Sequence, residues 1–388
     1  MKNKSPLNLR KFIIPEFVYG EGAINLVCQH IKSFSAKKVL LVTDPGIIQA
    51  GWIKKVEENL VEGGIQYVLF KDVKPNPKDF EVMAGAKVYK ENGCDIIVAV
   101  GGGSPMDCAK GIGIVSTNNK HILEYEGVDE VPIPGPPLIC IPTTAGTSAD
   151  VSQFAIITDT SRNVKIAIIS KTVVPDVSLI DPETTTTMPS ELTAATGIDA
   201  LAHACEAYVS NISSPITDLA ALEAIHLINE NLINTINNPY EMKYRNNMMM
   251  ASLLAGMAFS NASLGLVHSM AHSLGGLLDL AHGVCNAILL EHVIDYNFES
   301  AQDKYTQIGE ALNLDMKILN PWDRKAILLK KIAQLRNNAG INNTLGELGV
   351  SKKDLDQLAL NAIKDPCLAT NPRKPKIDDI KAIYERAL

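Results

Sequence analysis

The sequence predicts an α/β protein whose first half builds a parallel sheet and whose second half is all helix. Three observations predict it. Up to about residue 180, short β-branched runs alternate with helix-length amphipathic stretches, which is the βαβ grammar of a largely parallel sheet. Asp181-Pro182-Glu183, four threonines, Met188 and Pro189 then break the pattern. Beyond Pro189 the apolar spacing is helical almost throughout. The expected division is residues 1–183 and 184–388.

The strand candidates 39–42, 67–70, 96–100 and 138–141 are continuous apolar runs of the kind buried on both faces, and 177–180 reads as the last strand. Segments 53–61 and 80–90 between them are amphipathic helices. A further apolar run at 155–157 leads into Thr158-Asp159, a pair that opens a turn. In the second half the long helices are 190–209, 217–235, 243–261 and 264–278. Met248-Met249-Met250 falls in this helical pattern and reads as packing material. Pro366, Pro372 and Pro375, with Asn371 and Arg373, mark a loop before the last helix.

With 388 residues the chain can bury two sizeable cores. A net charge of −7 without basic runs argues against nucleic-acid and membrane-surface partners. The seven cysteines are odd in number, widely spaced and free of any CxxC pair, as expected of reduced thiols in a cytoplasmic protein. No apolar stretch reaches the roughly 18 residues of a membrane span. The basic first 17 residues hold only a short apolar run at 12–14, which does not make a signal peptide.

Chemistry concentrates in two places. Asp199 and His203 lie four residues apart in TAATGIDALAHACEAY, and GLVHSMAHSLGGLLDLAHG carries His268, His272 and His282. On helices, the i, i+4 spacing puts Asp199 beside His203 on one face and His268 beside His272 on another. A lone histidine is ordinarily a satisfied core or surface group; a carboxylate with four imidazoles reads as a transition-metal site, since calcium and magnesium want oxygen ligands alone. Spacing by itself leaves open which histidines bind.

The second place is Gly101-Gly102-Gly103-Ser104-Pro105-Met106-Asp107, directly after a strand. Ser104 is expected to cap the helix that follows, with Pro105 at its first position and Asp107 returning a bond to the cap. Three glycines let backbone amides approach a pyrophosphate at the positive helix end. Thr143, Thr144 and Thr147 form another small, hydroxyl-rich loop at a strand's carboxyl end, the edge where parallel sheets bind ligands. Together these loops suit a Rossmann-like dinucleotide domain. Asp44, two residues past a strand, suits an adenosine ribose and favours NAD over NADP, although a turn before Pro45-Gly46 explains it equally well.

The motifs GGGSPMD, PTTAGTSAD, ATGIDALAHACEAY, GLVHSMAHSLGG, HGVCNA and NPR resemble, in order and spacing, the iron-containing (group III) alcohol dehydrogenase family over essentially the whole chain. The resemblance implies that Asp199, His203, His268 and His282 hold Fe(II), with Zn(II) as an alternative occupant, and that His272 lines the substrate side as a proton relay. It implies that Gly101, Gly102, Gly103 and Ser104 bind the pyrophosphate of NAD, that Thr143, Thr144, Thr147 and Lys165 contact the cofactor, and that Asp44 binds the ribose. Phe154, Phe259 and Cys367 would line the substrate pocket, with Phe154 replacing a polar residue of some members. A homodimer or larger homo-oligomer is implied as well.

The implied reaction is NAD-dependent interconversion of short-chain primary alcohols and aldehydes. Propane-1,3-diol, lactaldehyde or a small anionic aldehyde are alternative substrates, and the related glycerol dehydrogenase and dehydroquinate synthase branches extend the choice to polyols and cyclic substrates. A metal-dependent hydrolase or lyase is the rival from another class. His268 and His272 form an HxxxH, but Ser269 stands where a zincin has glutamate, and hydrolysis leaves the glycine loop without a role. A filament-forming protein would need neither site.

Overall fold

The computed structural model describes residues 11–388. The expectation about a signal peptide falls largely on residues 1–10, outside the described residues. The first half runs β1 (Glu16–Tyr19), α1 (Val27–Ser33), β2 (Lys38–Val42), α2 (Pro45–Ala50), α3 (Trp52–Glu62), β3 (Gln66–Phe70), α4 (Asp79–Glu91), β4 (Ile96–Gly101), α5 (Gly103–Asn118), β5 (Gly127–Val128), β6 (Leu138–Pro142), β7 (Phe154–Asp159), β8 (Val164–Ile169) and β9 (Val177–Ile180).

Six of these strands form one sheet in the order β1-β9-β6-β4-β2-β3, every neighbouring pair parallel. The alternation of side chains explains why its central strands read as unbroken apolar runs. Leu40, Val42, Ile97 and Ala99 pack with Val82 of α4 and Ile112 of α5. Val39, Leu41, Ile96 and Val98 face the other way, onto Val27, Val56 and Leu60. All five expected strands are present. The register pairs Val42 with Ala99 and Gly101 with Pro142, so the carboxyl ends of β2, β4 and β6 stand side by side.

Three strands were not anticipated, β1, β5 and β8. β1 adds to the sheet edge beside β9, and β8 turns back along β7 in an antiparallel pair that joins β5 in a separate three-stranded sheet. The expected turn at Thr158-Asp159 is present, because Asp159 Oδ1 accepts from the Ser161 and Arg162 amides at 2.9 and 3.2 Å.

After a 3-10 turn at Pro182–Thr187, the chain is helical: α6 (Ser190–Val209), α7 (Pro215–Asn237), α8 (Met242–Ala262), α9 (Leu266–Leu278), α10 (His282–Asn297), α11 (Gln302–Ala311), α12 (Pro321–Asn338), α13 (Leu355–Ala362) and α14 (Ile377–Ala387). α6 is buried all round because α7, α8 and α10 pack around it. Met248 and Met249 are core, as their pattern implies. Ala145, Val151 and Phe154 of the first half join this helical core. The β6–β7 connection is therefore keyed into the second half: Ser148 Oγ donates to Ser252 O at 2.7 Å, and the Gln153 amide donates to Ser260 Oγ at 3.1 Å. All seven cysteines are free thiols. Among the described residues no single helix is long and apolar enough to cross a membrane; α8 and α9 reach that length only as a pair bent by 98°.

Candidate active site

Three helices bring four donors together. Asp199 and His203 sit one turn apart on α6, His268 is the third residue of α9, and His282 opens α10. The Nε2 atoms of His203, His268 and His282 lie 4.0, 3.7 and 3.7 Å from one oxygen, Asp199 Oδ1. All four donor atoms fall within 4.8 Å of one another. A tetrahedral ion with bonds of about 2.1 Å needs donors about 3.4 Å apart, so a small contraction of this cluster would seat one. Mixed imidazole and carboxylate donors suit Fe(II) or Zn(II).

The outer nitrogens show why Nε2 faces inward. His268 Nδ1 is 2.5 Å from Glu206 Oε2, and His203 Nδ1 is 3.2 Å from Gly146 O. Asn286, one turn after His282, points its amide nitrogen into the cluster, 2.6 Å from Asp199 Oδ1 and 3.1 Å from the Nε2 atoms of His268 and His282. Its own Oδ1 and His282 Nδ1 are buried without partners among the described residues. Three acceptors gathered around one donor group form a cradle made for positive charge.

Electrostatics agree. Burial works to raise the Asp199 carboxyl, but the imidazoles of His203, His282 and His268 overcome it and hold the group far below the carboxylate range. Burial lowers His203 to about 4 and takes His282 well below its ordinary value, leaving both as neutral donors of a lone pair. His268 is the exception: against burial, Glu206 and then Asp199 raise it to about 9.

His272 is outside this cluster. Although it lies one turn from His268, its Nδ1 pairs with Asp365 Oδ2 at 2.8 Å, and Asp365 Oδ1 accepts from the Cys367 amide at 2.8 Å. Its ring stacks on His282 at 5.4 Å. Phe259 stacks on His203 at 4.3 Å, and Phe154 meets Phe259 edge-on at 5.6 Å. Phe154, Phe259 and Cys367, expected near the substrate, are thus buried around the same centre.

The cofactor candidates gather at the carboxyl edge of the sheet. α5 starts two residues earlier than the sequence suggests. Gly102 precedes its first turn, Gly103 is its first residue, and no side chain caps it. Ser104 therefore does not cap, and Pro105 and Asp107 lie deeper inside the helix. The physical reason is the glycine run, which allows Gly101 a φ of +152° and brings the chain into helix directly, leaving bare amides at a helix N-terminus. A Cβ on Gly102 would come 3.1 Å from Thr144, and one on Gly103 would come 3.2 Å from Thr147, so the two loops close on each other. Thr143 Oγ1 is buried there without a partner among the described residues.

Asp44 caps α2 through Oδ1, which accepts from the Ile47 amide at 3.1 Å, so the turn chemistry is realised. Lys165, on β8, lies against Gly275 and Gly276 of α9, where a Cβ would come within 2.7 Å of it. Burial lowers its ammonium to about 8, against the pull of Cys285 and Asp107. Gly146 ties the two places together, because it sits in the threonine loop and its carbonyl faces a candidate ligand, His203. A cavity bordered by α5 and Pro134-Gly135-Pro136 lies at the opposite, amino ends of β4 and β6, away from this chemistry.

The model of the iron-containing alcohol dehydrogenases matches residues 15–182, and that of the carboxyl-terminal part of the same family matches residues 193–388. The chain belongs to the iron-containing alcohol dehydrogenase family. Among relatives of this alcohol dehydrogenase, 1,3-propanediol dehydrogenase of Citrobacter freundii is 43% identical over 379 residues, 97% of this chain and 98% of that one. The NAD-dependent methanol dehydrogenase of Bacillus methanolicus is 38% identical over 377 residues, 97% and 99% of the two chains. A solved 1,3-propanediol oxidoreductase superposes with a TM-score of 0.95 at 42% identity, covering 98% of this chain and 100% of that one. The enzyme class follows: this is an NAD-dependent alcohol dehydrogenase, and iron is the metal of its family.

Sequence reading missed Glu206, Gly146, Asn286 and Asp365. Signals existed for three of them. Glu206 continues the Asp199–His203 face by one turn, Asn286 stands four residues after His282, and Asp365 lies two before Cys367.

Proposed function

We propose that this enzyme interconverts short-chain primary alcohols and aldehydes with NAD, at a divalent metal centre held by Asp199, His203, His268 and His282. The observation that carries the reading is the convergence of three imidazole Nε2 atoms on Asp199 Oδ1. A metal held by these four residues would supply Lewis acidity, and a nicotinamide bound at the glycine loop would supply or accept hydride. The protein supplies the rest. Asp199 lowers the charge of the centre and anchors it, while Gly146 and Glu206 aim two of the imidazoles. The bare amides of Gly103 and Ser104 bind pyrophosphate at the start of α5. Thr143, Thr144, Thr147 and Lys165 line its path, and Asp44 takes the ribose. Phe154 and Phe259 form an apolar wall that excludes water and suits a short aliphatic chain. His272, held by Asp365, passes the hydroxyl proton outward next to Cys367.

Relatives named for methanol and for propane-1,3-diol favour a small primary alcohol, with the diol as the first alternative to a simple alkanol. We assign residues 1–183 to the NAD-binding domain and 184–388 to the helical metal and substrate domain. The enzyme is read as a cytoplasmic homodimer or assembly of dimers.

The test is NADH oxidation across a panel of short aldehydes, with protein stripped of metal and reloaded anaerobically with Fe(II), Zn(II) or nothing. Metal-dependent turnover is expected. NADH binding without turnover at full metal occupancy would displace the substrate class; absence of NADH binding would overturn the reading.

A further inference from the structure

Glu206 follows Asp199 and His203 at i+7 and i+3 on α6, so all three side chains share one helix face. It is 5% exposed, and both of its oxygens are engaged. Oε1 accepts from the Val267 amide at 2.6 Å, and Oε2 faces His268 Nδ1 at 2.5 Å. Val267 lies in the first turn of α9, whose amides have no partner within the helix. Asn371 Oδ1 takes the preceding amide, Leu266, at 3.1 Å. The approach is so close that a Cβ on Gly265 would stand 2.8 Å from Asn371 Oδ1 and 2.9 Å from Glu206 Oε1. One carboxylate thus fastens the start of α9 and grips the third residue of that helix.

An imidazole that presents a lone pair at Nε2 carries its proton on Nδ1, and the partner of Nδ1 decides this. For His203 that partner is a neutral carbonyl; His282 Nδ1 has none among the described residues. Of the three clustered imidazoles, only His268 is backed by a full charge among the described residues. We propose that Glu206 is the positioning residue of the metal centre, locking His268 with Nδ1 protonated and Nε2 turned to Asp199. The proposal rests on the reading of Asp199, His203, His268 and His282 as ligands. Both neighbours of Glu206 are N–H donors, so glutamine cannot replace it. If the amide oxygen of Glu206→Gln keeps Val267, its NH2 group faces His268 Nδ1 and favours the opposite tautomer, with a proton on the inward nitrogen.

The experiment uses Zn(II) as probe. Zinc affinity is measured by competition with a chromophoric chelator for the wild-type protein and Glu206→Gln, alongside thermal unfolding of both metal-free proteins. A loss of about 10–100-fold in zinc affinity is expected in the variant, with a cooperative unfolding transition retained. In parallel, ¹⁵N-histidine NMR of the zinc-loaded wild type should show His268 protonated at Nδ1; this arm decides the matter even if the variant does not fold. Equal affinity in the two proteins, or a His268 proton on Nε2, overturns the role of Glu206 alone. A wild type that binds no zinc overturns the ligand reading beneath it.

Discussion

His272 Nδ1 stands 2.8 Å from Asp365 Oδ2, and the two side chains are only 5% and 7% exposed. Burial works to raise the Asp365 carboxyl, and His272 with the Cys367 amide outweighs it, holding the group ionised below its usual range. The pair is therefore a histidine oriented by a carboxylate beside the metal donors but outside them. His272→Ala should keep full metal content and lose about 10²-fold in kcat, the lower end of general acid–base contributions. Asp365→Asn should lose less. Metal content by emission spectrometry and steady-state kinetics check this, and loss of metal in His272→Ala would move that residue into the ligand set.

Asp199→Ala removes the oxygen on which the three imidazoles converge. Metal and activity should disappear together, with helical content by circular dichroism unchanged. Stoichiometric metal in the folded variant would strike Asp199 from the ligands.

Gly101→Ala puts a side chain where φ is +152°, with its Cβ 2.6 Å from Pro105. Backbone strain of about 1–3 kcal/mol is expected, along with displacement of the glycine loop. NADH should bind at least about tenfold more weakly, read by quenching titration. Metal affinity should not change.

Lys165, lowered to about 8 by burial, is charged below that pH and neutral above it. NADH affinity should therefore fall as pH rises through about 8, and Lys165→Met should bind weakly with a flat profile over the same range. The stability effect has the opposite sense. Between about 8 and the ordinary 10.5 the unfolded chain binds a proton that the folded protein does not, so this residue makes stability rise with pH across that window. Chemical denaturation at pH 8 and pH 10 of wild type and Lys165→Met measures the difference.

Phe259 is 3% exposed between His203 and Phe154. Phe259→Ala should cost about 3–5 kcal/mol of stability and, where the protein folds, shift preference toward longer or branched alcohols. An unchanged chain-length profile would take Phe259 out of the substrate wall.

The sequence by itself determined the features that depend on short spacings. Continuous apolar runs marked β2, β3, β4 and β6, the short run around Ser178 marked β9, helical periodicity marked the second half, and i, i+4 spacing placed Asp199 beside His203. The family motifs named all four clustered donors. Local grammar failed where it competed with glycine: Ser104 looked like a cap, yet the flexible run let α5 begin at Gly103 with its amides bare. β1, β5 and β8 went unnoticed because each becomes a strand only through its partner: β9 for β1, β8 for β5 and β7 for β8.

Tertiary structure alone decided the partners of the site. Glu206 and His268 are 62 residues apart, and His272 and Asp365 are 93 apart. No periodicity links such positions. They meet because α6 is packed on all sides, α9 leaves α8 at 98°, and the segment before α14 folds back over both. Spacing along a helix fixes which residues share a face, but only the packing of whole helices fixes which faces meet. That is why His272, indistinguishable from His268 in the pattern, stands with Asp365 while His268 joins Asp199.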